Sequence, residues 1–158
     1  MSAQQPISLS IRQATPADAE DLIAFNQAMA YETEGLRLAT ETLHAGIHTA
    51  LSDPAHGFYL VAERDGRVVG SLLVTFEWSD WRNGQFWWIQ SVYVLPQYRG
   101  NGVYRTLYTA VRERARARDH VCGFRLYVER NNTRAQRTYA ALGMAPTPYL
   151  MYEETIES

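Results

Sequence analysis

The segment Arg99-Gly100-Asn101-Gly102 has the residue types and spacing best suited to chemistry in this chain. It follows a long apolar stretch and precedes residues with helical periodicity. Glycines allow a backbone to approach an anion closely, and a helix N-terminus offers unpaired N–H groups and the positive end of the helix dipole. The segment therefore predicts a phosphate-binding loop between a strand and a helix.

Arginines strengthen this interpretation of the loop. Arg99 begins it and Arg105 lies at the start of the predicted helix, and each guanidinium can pair with a phosphate through two N–H groups. No Gly-Lys-Ser/Thr follows, which excludes a Walker loop. The third glycine and the later acidic residue of a dinucleotide fingerprint are also missing. The alternative is a tight turn that only caps a helix.

A second candidate group lies between residues 132 and 144. Asn132 is a good N-cap for a helix, and Gly143 is a natural residue to end it. Tyr139 shares an apolar stripe with Ala135 and Leu142, where a tyrosine is ordinarily part of a core. By itself this segment predicts a capped, packed helix.

Together the two segments resemble the GNAT (GCN5-related N-acetyltransferase) superfamily. Its cofactor motif, Gln/Arg-x-x-Gly-x-Gly/Ala, is matched by residues 99–104. Its second motif, Asn-x-x-Ala-x-x-x-Tyr-x-x-x-Gly-Phe, is matched by Asn132, Ala135, Tyr139, Gly143 and Met144. Two positions depart from the pattern: Tyr104 replaces a small residue, and Met144 replaces the closing phenylalanine. The order of elements resembles the same fold over nearly the whole chain.

The resemblance implies acetyl-CoA as acyl-donor cosubstrate. Backbone groups of the strand before the loop would pair with the pantetheine arm as an added strand does, and the pyrophosphate would lie over the N–H groups of the loop. Asn132 would reach the pantetheine. The implied cofactor-binding residues are Val92, Tyr93, Val94, Arg99, Gly100, Asn101, Gly102, Val103, Tyr104, Arg105 and Asn132.

The resemblance also implies catalytic roles. Tyr139 would stand near the sulfur and protonate the leaving thiolate, and a backbone N–H near Val92 would stabilise the oxyanion. Some superfamily members take the amine proton with a carboxylate on the fourth strand, but residues 86–95 contain no Asp or Glu. Glu77, at the end of the preceding strand, is the candidate base. Asp80, the glutamates after the first helix and a water relay remain alternatives.

The acceptor site is predicted near the same strands. Glu32 and Glu34 follow the first helix, where this fold usually builds that site, and Trp88 belongs to an aromatic cluster able to hold a cationic amine. Core packing and a solvated helix end are the alternative interpretations. His44 and His48 have zinc-like spacing but lack the accompanying glutamate and a third ligand, so we expect no metal.

Composition limits the other classes of function. The chain has 158 residues and a net charge of -2, which predicts one domain over residues 1–158 and no attraction to nucleic acid. Cys122 is the only cysteine, so no intrachain disulfide forms. No apolar stretch approaches the roughly 20 residues of a membrane span, and the N-terminus does not resemble a secretory signal. We expect a cytoplasmic protein with neither a membrane nor a nucleic-acid partner.

Periodicity predicts six strands and four helices in the order β-α-α-β-β-β-α-β-α-β. The strands cover residues 7–13, 58–63, 68–78, 86–95, 124–128 and 149–153, and Asp65-Gly66 predicts a hairpin turn. Thr15 and Thr40 are candidate N-caps. The predicted fold is α/β: a single-domain GNAT-like, mixed, mostly antiparallel sheet flanked by helices. The resemblance adds that strands four and five splay to admit acetyl-CoA.

These observations predict an acetyl-CoA-dependent N-acetyltransferase that acts directly on a primary amine of a small molecule or peptide. The competing hypothesis is a non-catalytic module that senses acyl-CoA. The missing carboxylate on the fourth strand favours the sensor, whereas Tyr139 favours the enzyme. The acceptor and the length of the acyl chain are not indicated. A homodimer, formed through the tryptophan-rich hairpin, is left open.

Overall fold

The computed structural model describes residues 8–157. The main elements are β1 (Ser10–Gln13), α1 (Ala19–Glu34), α2 (Thr40–Ser52), β2 (Gly57–Arg64), β3 (Arg67–Ser79), β4 (Gly84–Val94), α3 (Val103–Arg116), β5 (Val121–Arg125) and α4 (Thr133–Ala141). Short 3-10 turns precede α1 and follow β4. Within the described residues, every helix is too short or too polar to cross a membrane.

The chain divides into two compact units, of which the first ends at Leu126 and the second begins at Tyr127. The first unit contains the five strands and α1 to α3, and the second contains α4 and the C-terminal segment. One functional domain over residues 1–158 stays a prediction.

The sheet has the strand order β1-β2-β3-β4-β5. The first three pairs are antiparallel, and β4 and β5 are parallel. This arrangement confirms the predicted mixed, mostly antiparallel sheet. The β2–β3 turn is also as predicted, since Asp65 and Gly66 have φ values of 52° and 75°, the positive angles that a two-residue hairpin requires.

Helices cover both faces of the sheet. Leu22 and Phe25 of α1 and Ile47 of α2 pack in one core cluster with Tyr59 of β2. The neighbouring Phe58 points to the other face, where the guanidinium of Arg114 in α3 lies 6.0 Å from its ring centroid. We call these the α1–α2 face and the α3 face.

A β-bulge interrupts β4 near its end. Tyr93 pairs with Ser71 and Gln90 pairs with Leu73, so Ser91 and Val92 together lie opposite a single residue of β3. Ser91 has a φ of 50°, which is unusual for a residue other than glycine. Such a bulge bends a strand and increases its twist.

β4 and β5 separate just before the bulge. Their pairing runs from Gln85↔Val121 to Trp88↔Arg125, whereas β4 continues to Val94. In the described sheet, the last part of β4 therefore pairs with β3 alone. The splay that the resemblance implied is present, and it leaves backbone N–H and C=O groups of β4 available on the β5 side.

The predicted sixth strand is wrong. Residues 149–153 are described but belong to no strand, because an alternating apolar pattern becomes a strand only when a neighbouring strand completes its hydrogen bonds. The side chains of Tyr149 and Tyr152 are instead 72% and 91% exposed.

Other boundaries also differ from the predictions, among them those of β5, α2 and the first strand. β5 lies at Val121–Arg125 rather than 124–128, and its Gly123 lies against the Phe86 ring, where an added Cβ would be 2.8 Å from a ring carbon. The N-cap of α2 is Ala39, and Thr40 is its first residue. The first strand begins at Ser10, and the predicted start at Ile7 lies outside the described residues.

Candidate active site

The predicted phosphate-binding loop joins β4 to α3. Gly100 and Gly102 have φ values of 79° and 80°, a left-handed conformation that favours glycine. A Cβ at either position would meet no atom within 4 Å, so open space borders the backbone. Gly102 is the N-cap of α3, and no side chain in the described part of the chain caps this terminus. The first N–H groups of α3 thus fit an anion such as a pyrophosphate.

Tyr104, the departure from the cofactor motif, does not disturb this loop. Its ring stacks on Tyr108, one helical turn further along α3, with the centroids 6.1 Å apart. Tyr108 in turn makes an edge contact with Phe124 of β5 at 5.9 Å. The extra bulk therefore packs along α3, and the loop keeps its open side.

One glutamate group ties α1 to the start of the loop. The Arg99 guanidinium donates to Glu32 Oε2 and, through Nε, to the Val94 carbonyl, each at 2.8 Å. The Tyr93 hydroxyl donates to Glu32 Oε1 at 3.3 Å. Burial and the charge of Glu32 raise the pKa of Tyr93, and the charge of Arg99 lowers it by a smaller amount. Both carboxylate oxygens are occupied in this Glu32 group, defined as Glu32, Tyr93 and Arg99.

A second glutamate group lies on β3, β4 and β5. Glu77 Oε1 accepts from Trp88 Nε1 at 3.1 Å and from the Arg125 guanidinium at 2.6 Å. Arg125 also lies 3.6 Å from the centroid of the Phe86 ring. Glu77 Oε2 accepts no hydrogen bond from the described residues. In this Glu77 group, defined as Glu77, Trp88 and Arg125, the carboxylate is fixed through one oxygen while the other is uncommitted.

The Glu77 group belongs to a polar row on the α1–α2 face. Thr75 pairs with Trp88 and Leu73 pairs with Gln90, and paired residues of adjacent strands point to the same face. The Gln90 amide donates to the Thr75 hydroxyl. Leu73 packs against the α1–α2 core cluster, which identifies the face. The row gives that side of the sheet the hydrogen-bonding groups an acceptor site needs.

The second unit holds Asn132 and Tyr139. Asn132 Oδ1 accepts from the Ala135 N–H at 3.1 Å, which confirms the predicted N-cap of α4. Tyr139 is half-buried on α4, and burial raises the pKa of its phenol. The hydroxyl therefore keeps its proton at neutral pH, the state that a general acid requires.

The structure brings together some of the predicted site residues. Glu77 and Trp88, predicted separately as base and acceptor ligand, are hydrogen-bonded to each other. Glu32 pairs with Arg99 of the loop, and Glu34 is exposed at the last position of α1. Within residues 8–157, no group of three His, Cys, Asp or Glu side chains is placed to hold a metal ion.

Sequence reasoning missed Arg125 and the bulge at Ser91. Arg125 is half-buried near the end of a strand of β-forming residues, and a buried arginine ordinarily has a carboxylate partner. That signal could have been used. Ser91 carries no signal, because neither glycine nor asparagine marks its positive φ.

Residues 19–144 match the acetyltransferase (GNAT) family. The chain is similar to a solved structure of a possible acetyltransferase from Clostridium difficile 630, with 39% identity over 95% of this chain and 99% of that chain and a TM-score of 0.89. The chain therefore belongs to the GNAT acetyltransferase family, as the two motifs suggested.

Two more distant structures share the fold. A predicted acetyltransferase from Clostridium acetobutylicum, solved with acetyl-CoA, has 16% identity over 93% of this chain and 96% of that chain and a TM-score of 0.76. AAC(6')-Iy, solved with the bisubstrate analogue CoA-S-monomethyl-acetylneamine, has 20% identity over 94% of this chain and 99% of that chain and a TM-score of 0.77. At these identities the likeness concerns the fold alone.

Proposed function

We propose that the protein is an acetyl-CoA-dependent N-acetyltransferase that transfers an acetyl group directly to a primary amine of a small molecule or peptide. One observation carries the proposal. The uncapped N-terminus of α3, with its two left-handed glycines, lies directly after the part of β4 that β5 leaves unpaired. The first feature suits a pyrophosphate and the second suits an extended arm rich in amides.

Acetyl-CoA is the acetyl donor. When bound, it supplies the acetyl group as an activated thioester. The N–H groups of residues 103–105 hold the pyrophosphate, and Arg99 and Arg105 add charge-assisted contacts. Backbone groups from Val92 to Val94 hold the pantetheine, although the Val94 carbonyl already accepts from Arg99. The family resemblance implies that Asn132 contacts the pantetheine, and that role is part of the same proposal.

Glu77 is the proposed general base. Trp88 and Arg125 donate to its Oε1 and hold the carboxylate in one orientation. Oε2 then accepts the proton of the acceptor amine, either directly or through a water. Glu32 is less suitable, because Arg99 and Tyr93 occupy both of its oxygens. Glu34, which is exposed at the end of α1, and the ring of Trp88 remain the proposed contacts to a cationic acceptor.

The other proton and the oxyanion need separate groups. Tyr139 donates its proton to the leaving thiolate, and its burial keeps the phenol protonated beforehand. A backbone N–H at the bulge near Val92 stabilises the oxyanion of the tetrahedral intermediate. An amine acceptor is supported by the acetylneamine analogue bound to AAC(6')-Iy, but the particular acceptor of this chain and a cytoplasmic location stay predictions.

A sensor of acyl-CoA is the second candidate, favoured by the lack of any Asp or Glu in β4. Two measurements separate the hypotheses. Acetyl-CoA at about 100 times its Kd should raise the melting temperature by roughly 5–10 °C, because it binds only the native state. No thermal shift would contradict the donor assignment. Release of free thiol with any member of a panel of amines supports the enzyme, and binding without release supports the sensor.

A further inference from the structure

A cavity of about 450 Å³ lies on the α3 face, at the end of the sheet where β4 begins. Its walls come from the starts of β2 and β4, the end of β3 and the turn between α3 and β5, all of which belong to the first unit. A volume of this size is typical of a small-molecule site. The side chains given a role in acetyl transfer above do not line it. We call it the α3-face cavity.

Three aromatic rings form the floor of the α3-face cavity. The Phe58 ring meets Trp87 edge-on, with the centroids 5.2 Å apart, and lies 6.2 Å from Phe76. The Phe76 and Trp87 centroids are 6.1 Å apart, and Trp87 is only 2% exposed. Because the rings pack on one another, the floor exists before any ligand arrives. It suits the flat face of an aromatic ligand.

Two glutamine side chains at the cavity are oriented by the protein. Gln85 Oε1 accepts from Trp87 Nε1 at 3.1 Å, and Gln13 Oε1 accepts from the Arg114 guanidinium at 3.4 Å. The amide nitrogen of each has no hydrogen-bond acceptor among the described residues. Each NH₂ group carries two donors. The arrangement therefore favours a ligand with carbonyl or carboxylate oxygens.

Charge selects a carboxylate over a neutral carbonyl. Arg118 lines the cavity and has no carboxylate partner in the described part of the chain. A second guanidinium, that of Arg114, lies 6.0 Å from the centroid of the Phe58 ring. Asp119 is the acidic residue in the lining, so positive side chains outnumber negative ones here. A guanidinium binds a carboxylate more strongly than it binds a neutral oxygen.

The wall that carries Arg118 is fixed to the sheet. The Gln85 N–H donates to the carbonyl of His120 at 2.7 Å, and Gln85 pairs with Val121 at the start of β5. The turn between α3 and β5 is thereby held beside the start of β4. A site with a rigid floor and a rigid wall loses little free energy to ordering when a ligand binds.

We infer that the α3-face cavity binds a small aromatic carboxylate, with its ring on the aromatic floor and its carboxylate at the two glutamine amides and Arg118. This site is separate from the candidate active site. Glu77 and Trp88 point to the opposite face of the sheet, and Val94, where β4 meets the glycine loop, lies roughly 30 Å along the strand from Gln85. The inference does not depend on the proposed acetyl transfer.

Calorimetric titration of the full chain with 2-naphthylacetate tests this inference. The probe has no amine, so it cannot be an acetyl acceptor. We expect saturable binding with a Kd of about 100 μM or lower. The neutral 2-naphthylacetamide, which keeps the rings but lacks the charge, should bind about 10-fold more weakly. The lack of saturable binding at about 1 mM would overturn the inference, as would equal affinity for both probes.

Gln85→Glu locates the bound probe. The new carboxylate still accepts from Trp87 Nε1, but it replaces the NH₂ donor with an oxygen that repels the probe. The Kd should rise about 10-fold, while thermal melting shows that the variant is folded. Gln90→Glu makes the same change on the same strand, but on the α1–α2 face, and should leave the Kd within about 2-fold. Equal effects of the two variants, or a larger effect of Gln90→Glu, would contradict the assignment.

Acetyl-CoA provides a further control on the location. The titration repeated with acetyl-CoA at about 100 times its Kd should give the same probe Kd within about 2-fold, because the two sites are separate. Competition between acetyl-CoA and the probe would place the probe in the donor site and overturn the inference. A chain that binds the probe but not acetyl-CoA would contradict the proposed function and leave this inference standing.

Discussion

Each half of β4 carries a group of one glutamate, one arginine and one aromatic donor, but the two groups are built differently. In the Glu77 group, on the half paired with β5, both donors share a single carboxylate oxygen. In the Glu32 group, beside the half of β4 that does not pair with β5, each donor bonds a different carboxylate oxygen. The Glu77 carboxylate is therefore fixed and still has one oxygen that can accept a hydrogen bond, whereas both oxygens of the Glu32 carboxylate already accept one.

The difference teaches that the number of bonds matters less than their distribution over the two oxygens. The Glu77 arginine comes from β5 and lies on Phe86, so it is positioned by the sheet. The Glu32 arginine comes from the loop and lies 5.3 Å from the centroid of the Tyr93 ring. The first group therefore suits chemistry on the acceptor, and the second suits positioning of the donor loop.

The strongest test of this difference is Glu77→Gln, which keeps the size of the side chain but removes its basicity. We expect kcat to fall about 100-fold, within the range for loss of a general base, and the Kd for acetyl-CoA to stay within about 2-fold. Steady-state kinetics and calorimetry measure the two. Glu63→Gln, which also breaks an ion pair with an arginine, is the matched control and should leave kcat unchanged. An unaltered kcat in Glu77→Gln would exclude Glu77 as the base.

If Glu77 accepts the proton, the thiolate must receive one from elsewhere, and Tyr139→Phe tests this. We expect kcat to fall about 30-fold with little change in the affinity for acetyl-CoA. Because burial raises the pKa of Tyr139, its phenol stays protonated through the neutral range and loses its proton only at high pH. The wild-type rate should therefore show no decline from this group as the pH rises through the neutral range. Equal rates for both proteins would refute the role.

Gly102→Val tests the loop that the Glu32 group positions. Valine at a φ of 80° is strained, and its branched side chain would enter the space proposed for the pyrophosphate. The Kd for acetyl-CoA should rise about 10-fold or more, which is about 1.4 kcal/mol. Gly66→Val in the β2–β3 turn is the control, because Gly66 has a similar φ of 75° and equally open surroundings. It should lower stability but leave the Kd unchanged, and equal effects of both variants on the Kd would contradict a binding role for the loop.

The smallest effect is expected from Glu32→Gln. Loss of this carboxylate breaks the ion pair with Arg99, whose Nε still donates to the Val94 carbonyl, and removes a negative charge near a polyanionic donor. Acetyl-CoA should bind about 3-fold more tightly, with kcat unchanged. Glu34→Gln removes the same charge two residues away, on an exposed side chain at the end of α1, and should have less effect on binding. A large fall in kcat for Glu32→Gln would mean that the two glutamates have been assigned the wrong way round.

Local signals explain which parts of the fold could be predicted. The Asp65-Gly66 turn, the glycine loop and the cap at Asn132 each depend on a few neighbouring residues, and all three are present. The strand predicted at residues 149–153 is absent because its formation depends on a partner strand that no local pattern specifies.

The candidate site divides in the same way. The loop and its glycines are contiguous in sequence, and spacing alone predicted them. Glu77 and Arg125 are 48 residues apart, and Glu32 and Arg99 are 67 residues apart, so their pairing follows from the order of strands and helices. The sequence therefore indicated the chemical types of the site but not which arginine each glutamate meets.

The bulge in β4 also determines to which face of the sheet the side chains after it point. Gln90 and Tyr93 are an odd number of positions apart, and in a regular strand they would project from opposite sides. Because of the extra residue at Ser91 and Val92, Gln90 and Tyr93 project from the same face of the sheet. Tyr93 can therefore pack on Phe25, with the ring centroids 5.0 Å apart, while Gln90 stays in the polar row. A substitution at Ser91 changes the energy of this strand, but a deletion of one residue there would exchange inside and outside for everything from Tyr93 to the glycine loop.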